Sequence, residues 1–182
     1  MEARARRLPS SRSSNLKGRI AEAFVEALFR RAGYSVSRTG RESQVQRQLN
    51  PGRDGYLPDF LIRKAVERQG FERPLHRLVP IEVKYRYDLD RFLECRGPEE
   101  FERAVQNCPD VYFVCVTDNP APGRSCFQVV DGGREGRLVT RDLHAVKDLE
   151  IFATTVLEYE GLIKEIFALI GGREPTSKTD RT

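Results

Sequence analysis

A chain of 182 residues is long enough to bury a real core and is most economically one domain. Charged residues make up 32% of it, and 31 Lys and Arg against 27 Asp and Glu leave a net charge of +4, which favours a polyanionic partner over an acidic protein or a neutral metabolite. No apolar run approaches the length of a membrane span, and the N-terminus lacks the apolar core of a signal peptide, so a cytoplasmic protein with no membrane partner is expected, nucleoid-associated where DNA is cytosolic.

The chain opens on a basic stretch, with Arg4, Arg6, Arg7 and Arg12 and little that could pack, which reads as a disordered arm over residues 1–14. A domain over residues 15–170 and a loose tail over 171–182 complete the expected organisation. Ser13, Ser14 and Asn15 offer N-caps for a helix running to about Ala32, and Gly33 is a sound stop. Leu16, Ile20, Ala23, Phe24, Ala27 and Leu28 form its apolar stripe. A thinner row, Gly18, Glu22, Val25 and Phe29, sets Glu22 in partly apolar surroundings behind a glycine that permits close approach of another backbone.

From Arg41 to Asp54 the sequence is polar and carries an Asn50-Pro51-Gly52 turn signal, as a mobile loop over a site or a plain surface connection would. Two strands are expected next, Tyr56 to Ile62 and Leu78 to Arg86. Alternation across the second places Glu82 and Lys84 on one face and Ile81, Val83 and Tyr85 on the other. A Lys two residues from a Glu within a Val/Ile-rich strand needs partners, and Asp59 supplies one if the segment containing Gly70 reverses the chain and sets the strands side by side. Asp54 competes with Asp59 for that role, although Asp54-Gly55 is also a good turn. Two carboxylates held together repel each other, so a hard divalent cation such as Mg2+, with Mn2+ as the other choice, is the natural guest. Such a site suits metal-assisted phosphodiester hydrolysis, with Lys84 steadying the hydroxide or the developing negative charge.

Leu57-Pro58-Asp59 followed by Glu82-Val83-Lys84 resembles the signature of the PD-(D/E)XK nuclease superfamily. Gly18-Arg19-Ile20-Ala21-Glu22 and then Ala32 to Gly40, where a first strand follows the helix and leads into a basic loop, resemble the opening of its archaeal Holliday junction resolvase branch. That resemblance, which covers roughly Gly18 to Thr117, makes Glu22 the third acid of the site and adds the Val83 carbonyl as a metal ligand beside Asp59 and Glu82. It also makes Arg38 and Arg41 candidate phosphate contacts, and sets Gln106 where many of these nucleases carry a helix glutamine that orients the lysine or a water. Lys17, and Arg86 on the face of Lys84, are further candidate DNA contacts.

Beyond Lys84, Tyr85 and Tyr87 can stack near DNA or pack on the back of the sheet. Pro98 starts a second helix that runs from Glu99 to about Asn107. Val111 to Thr117 is a continuous apolar run suited to the middle of a sheet covered on both faces, and a strand after a helix suggests a parallel crossover. Cys126 to Val130 reads as a shorter fifth strand, and Asp148 to Ile170 as a long helix that covers the sheet or forms a dimer contact. The four cysteines show no CxxC pair and read as free thiols.

The expected fold is α/β, a mixed central sheet of about five strands flanked by helices with a restriction-endonuclease-like core. The expected function is that of a divalent-metal-dependent DNA endonuclease, resolvase-like and homodimeric, with a repair or restriction-type nuclease as the alternative. A catalytically silent nucleic-acid-binding module on the same fold is the reading from a different class. A metabolite-binding α/β protein is disfavoured, because the chain has no Gly-rich phosphate loop.

Overall fold

The computed structural model describes residues 10–39, 57–66, 75–133 and 137–171. The loop over 41–54, with Arg41 and Asp54, most of the basic arm, and the tail beyond residue 171 lie outside them. Helix α1 (Ser10–Arg31) is followed by β1 (Ser35–Arg38), β2 (Phe60–Val66) and β3 (Leu75–Tyr85). Two helices, α2 (Leu89–Cys95) and α3 (Gly97–Asn107), lead to β4 (Tyr112–Val116). Strands β5 (Phe127–Gly132) and β6 (Leu138–Asp142) precede the last helix, α4 (Ala153–Ile170).

Among the described residues the sheet has six strands in chain order, β1 to β6. Neighbours run antiparallel except β3 and β4, which are parallel. That single parallel pair is the one that needs a crossover, and α2 and α3 supply it. The protein is therefore α/β with a mixed, open sheet flanked by helices.

Two apolar layers cover the sheet. On one face α1 and α4 pack over Val36, Phe60, Ile62, Val79, Ile81, Val83, Val114, Val116, Phe127 and Val129. On the other, Leu89 and Phe92 of α2 and Ala104 of α3 meet Phe113, Cys115 and Val130. Strand β4 thus has apolar side chains on both faces, as its unbroken apolar run requires. The second layer covers the sheet only in part, and Leu78 on β3 is 63% exposed.

Several expected boundaries move. Helix α1 begins at Ser10, so Ser13, Ser14 and Asn15 are helical residues rather than caps, and the helix takes in residues 10–14 of the expected arm. It ends where Gly33 adopts φ +85, with the Gly33 N–H donating to Arg30 O at 3.1 Å and the Tyr34 N–H to Phe29 O at 3.0 Å. A β-carbon at Gly18 would meet nothing within 4 Å, so this glycine does not serve a close backbone approach. The sheet has a sixth strand where five were expected; its residues alternate between half-buried and exposed, which leaves little apolar pattern to read. Helix α2 was not expected either, although Asp88 caps it by accepting the Arg91 N–H at 3.0 Å. The last helix starts at Ala153 rather than near Asp148, because two 3-10 turns and Glu150, at φ 45, come first. All four cysteines are free thiols, Cys115 and Cys126 being buried.

Candidate active site

Strands β2 and β3 are in register from Val66↔Leu75 to Phe60↔Ile81. One further step of that register would set Asp59 opposite Glu82, which lies on the face shared with Phe113 and Cys115. Asp59 does not extend the ladder. Its carboxylate accepts the Val83 N–H at 2.7 Å, and a residue in a strand sends its N–H and C=O out along the same edge, so the Val83 carbonyl shares the edge on which Asp59 docks. The end of β1 fixes this corner: the Thr39 N–H donates to Asp59 O at 3.1 Å and the Thr39 hydroxyl to Pro58 O. Thr39 was missed in the sequence, where only its place at the end of a short strand could have drawn attention.

Glu82 is buried, and Lys84 Nζ lies 2.6 Å from its Oε1, the i and i+2 pair that strand alternation requires. Burial works against the charge on Lys84, but the neighbouring carboxylate of Glu82 outweighs it, with help from Asp59 and Glu100, so the pKa of Lys84 is raised and the residue is held as an ammonium. Glu22 reaches the same corner from α1, half-buried. Its pKa is raised, first by burial and then by the negative charge of Asp59, against the lowering pull of Arg38, Arg19 and Lys84. Burial likewise raises that of Asp59, offset in part by the Val83 N–H, Lys84 and Arg38. Glu22, Asp59, Glu82 and Lys84 therefore form one electrostatic cluster at the open end of β2 and β3.

The remaining candidates divide. Arg38 borders the cluster, 3.9 Å from Glu22 and 2.5 Å from Glu26, with its guanidinium over the Phe60 ring. Arg86 shares the face of Lys84 as expected, but both Glu100 oxygens hold it, at 2.9 and 2.8 Å, and it stacks on Phe92 with 4.3 Å to the ring centroid. Glu100 and Phe92 thus fix the guanidinium in place, with the side chain 29% exposed. Lys17 is a plainer correction: it is buried, 2.8 Å from Asp118 and 3.2 Å from the Tyr85 hydroxyl, with Nζ over the Phe167 ring. A lysine tied down in this way is not available to DNA, and Tyr85, bonded to Asp118 at 2.8 Å and packed edge-on against Phe167, belongs to the core. Gln106 is exposed and donates to Glu102 at 3.1 Å. Six residues on from Glu100, it points about 120° away from the side of α3 that faces Arg86, so the structure does not bring it to Lys84.

Among the described residues no three His, Cys, Asp or Glu side chains stand close enough together to form a ready metal cage. The donors gathered here are hard oxygens all the same, and the charge of Asp59 opposes the ionisation of Glu22, a tension that a bound cation relieves. By chemistry the set fits a divalent metal, although internal cations stand beside two of its acids, Lys84 at Glu82 and Arg38 at Glu22. No described helix is long and apolar enough to cross a membrane. Comparison with known proteins returns no match: no family model fits the chain, and no curated protein or solved structure is significantly similar to it.

Proposed function

We propose that the chain is a divalent-metal-dependent DNA endonuclease built on a restriction-endonuclease-like core of the PD-(D/E)XK type. The observation that carries this reading is the docking of Asp59 on the Val83 N–H, which sets a second acid beside the Glu82–Lys84 pair while Glu22 approaches from α1. A purely structural strand end has no use for mutually repelling carboxylates. The net positive charge suits a polyanionic substrate.

Asp59, Glu82, Glu22 and the Val83 carbonyl would hold the ion, Mg2+ or Mn2+. When bound, it supplies a Lewis acid for the phosphate and lowers the pKa of an attacking water. Lys84, kept as an ammonium by Glu82, would steady the hydroxide and the negative charge that develops on the phosphate. Thr39 fixes the turn that carries Asp59, so the position of the acid is set by β1 rather than by a free loop. The preferred substrate is a branched DNA such as a four-way junction, cut symmetrically by a homodimer; a repair or restriction-type substrate stands second. The pairing of Lys84 with Glu82, and the lack of a ready cage among the described residues, favour one further reading, a module that binds nucleic acid without cutting it.

The deciding experiment is cleavage of a labelled panel (four-way junction, flap, linear duplex, single strand) with Mg2+, Mn2+ or EDTA, beside Lys84→Ala. Metal-dependent cutting that the variant loses is expected, with paired nicks at the junction. Salt-sensitive binding without cutting under either metal overturns the enzyme and leaves the binding module.

A further inference from the structure

One carboxylate beside the site, that of Glu26, holds two arginines. Its Oε1 accepts from Arg30 Nε at 3.1 Å and Nη2 at 2.8 Å, while its Oε2 accepts from Arg38 Nε at 2.6 Å. Arg38 Nη2 lies 2.5 Å from the same Oε2. Arg30 is anchored further on Val36 O at 3.0 Å, and Arg38 on the ring of Phe60, the residue next to Asp59. Each guanidinium carries five donors in a rigid fork, and these contacts use only some of them. The side chains remain open to solvent, Arg30 at 54% and Arg38 at 38%, whereas Glu26 is only 17% exposed. Two fixed forks on one largely shielded carboxylate leave one positive charge beyond what Glu26 balances, on the side where Arg38 also borders Glu22. Arg19, Glu22, Glu26 and Arg30 follow at i, i+3, i+7 and i+11 along one stripe of α1, roughly 16 Å of helix, which a DNA strand covers in about five nucleotides.

We propose that Glu26 positions Arg30 and Arg38 as a two-pronged clamp for the phosphate backbone of the nucleic acid, and that this clamp leads the strand along α1 to Glu22 and Asp59. The assignment rests on the nuclease reading; it adds Arg30 as a phosphate contact and Glu26 as a positioning residue. An ordinary surface ion pair would leave one fork loosely held, but here both are fixed, one by a backbone carbonyl and the other by a ring, and both adjoin the same acids.

The test is equilibrium binding of duplex and four-way-junction DNA in EDTA, followed against salt, for the wild type, Arg30→Ala, Arg38→Ala, Glu26→Gln and the control Arg31→Ala. Arg31 is the neighbour of Arg30, but it pairs with Glu158 at 2.6 Å on another side of α1. Arg30→Ala and Arg38→Ala are each expected to lower the log–log salt slope by about one, so that affinity falls about fourfold less between 50 and 200 mM salt. Glu26→Gln is expected to weaken binding with both arginines present, and Arg31→Ala to keep the wild-type slope. Should Arg38→Ala unfold, Arg30→Ala at its exposed position carries the test alone. Wild-type slopes in folded Arg30→Ala and Arg38→Ala overturn the clamp, as does an equal loss in Arg31→Ala, which would mark a mere net-charge effect. If the wild type itself shows no salt-dependent binding to any DNA, the nuclease reading fails, and the clamp with it.

Discussion

The Asp59 carboxylate accepts the Val83 N–H at 2.7 Å, so the ladder between β2 and β3 closes on a side chain instead of on backbone. This one contact separates two roles of the acid. Asp59→Asn keeps an oxygen for the Val83 N–H, whereas Asp59→Ala leaves that donor without its acceptor and is expected to cost about 1–2 kcal/mol. Both remove the charge that a metal needs. Thermal melts with and without Mg2+ should therefore show the asparagine variant near wild-type stability in EDTA and neither variant raised by Mg2+. An asparagine variant that keeps the full Mg2+ shift would remove Asp59 from the metal site.

Glu22 and Asp59 both have a pKa raised above the ordinary carboxylate range, first by burial, and for Glu22 next by the charge of Asp59. The folded state thus prefers their protonated forms more than the unfolded state does. Their contribution to stability is complete below the ordinary carboxylate range, about pH 4, and is lost as the pH rises through the raised values. Without metal, the pair should make the protein more stable on mild acidification from neutral pH. Glu26 works in the opposite sense: burial alone would raise its pKa, but its bonds to Arg30 and Arg38 lower it, so its contribution is present at neutral pH and lost as the pH falls through the lowered value. Melting in EDTA across pH should give Glu22→Gln a higher midpoint at neutral pH and a smaller gain on acidification than the wild type. Parallel curves would show that the two acids do not strain the fold.

Much of the frame was legible because it is local. Alternation in Glu82-Val83-Lys84 places the ion pair on one face, and the apolar run of β4 announces a strand covered on both sides. The fates of Lys17 and Arg86 were not legible, since the partners that claim them are distant: Asp118 lies 101 residues from Lys17, and Glu100 approaches Arg86 only because α3 folds back over the sheet. A lysine near the start of a polar helix reads as solvent-facing until the fold sets Phe167 and Tyr85 against it. Strand β6 hid for another reason, as its side chains alternate between half-buried and exposed rather than between buried and exposed.

Two glycines make opposite predictions from the same substitution. At Gly97, which opens α3, an added β-carbon would stand 2.8 Å from Phe92 O, a backbone atom, and 3.2 Å from Leu138 Cδ1. The turn between α2 and α3 has to shift to admit it, so Gly97→Ala is expected to destabilise by about 1–3 kcal/mol. At Gly18, inside α1, a β-carbon meets nothing within 4 Å, and Gly18→Ala should stabilise by about 0.5–1 kcal/mol through helix propensity. Urea denaturation of the two variants checks both signs, and a neutral Gly97→Ala would show that the turn is soft.

Among the described residues Lys17 and Asp118 make the ion pair most shielded on both sides, at 11% and 10% exposure, and Tyr85 donates to the same carboxylate. Breaking such a pair on one side leaves an uncompensated charge, so Lys17→Met is expected to cost about 3–5 kcal/mol. Removing both charges is a different matter. The double variant Lys17→Met/Asp118→Leu should be less destabilised than the sum of its single variants by well over 1 kcal/mol, a coupling beyond the range of exposed pairs. Tyr85→Phe should cost only about 1 kcal/mol, because Lys17 still neutralises Asp118. The pair joins the first part of α1 to the turn after β4 and lies five residues before Glu22. Loss of Lys17 should therefore also weaken the Mg2+-induced rise in melting temperature, although Lys17 touches none of the site acids named here. Additive single variants would show that the two charges are solvated, and an unaltered Mg2+ shift in Lys17→Met would show that Glu22 is placed by other contacts.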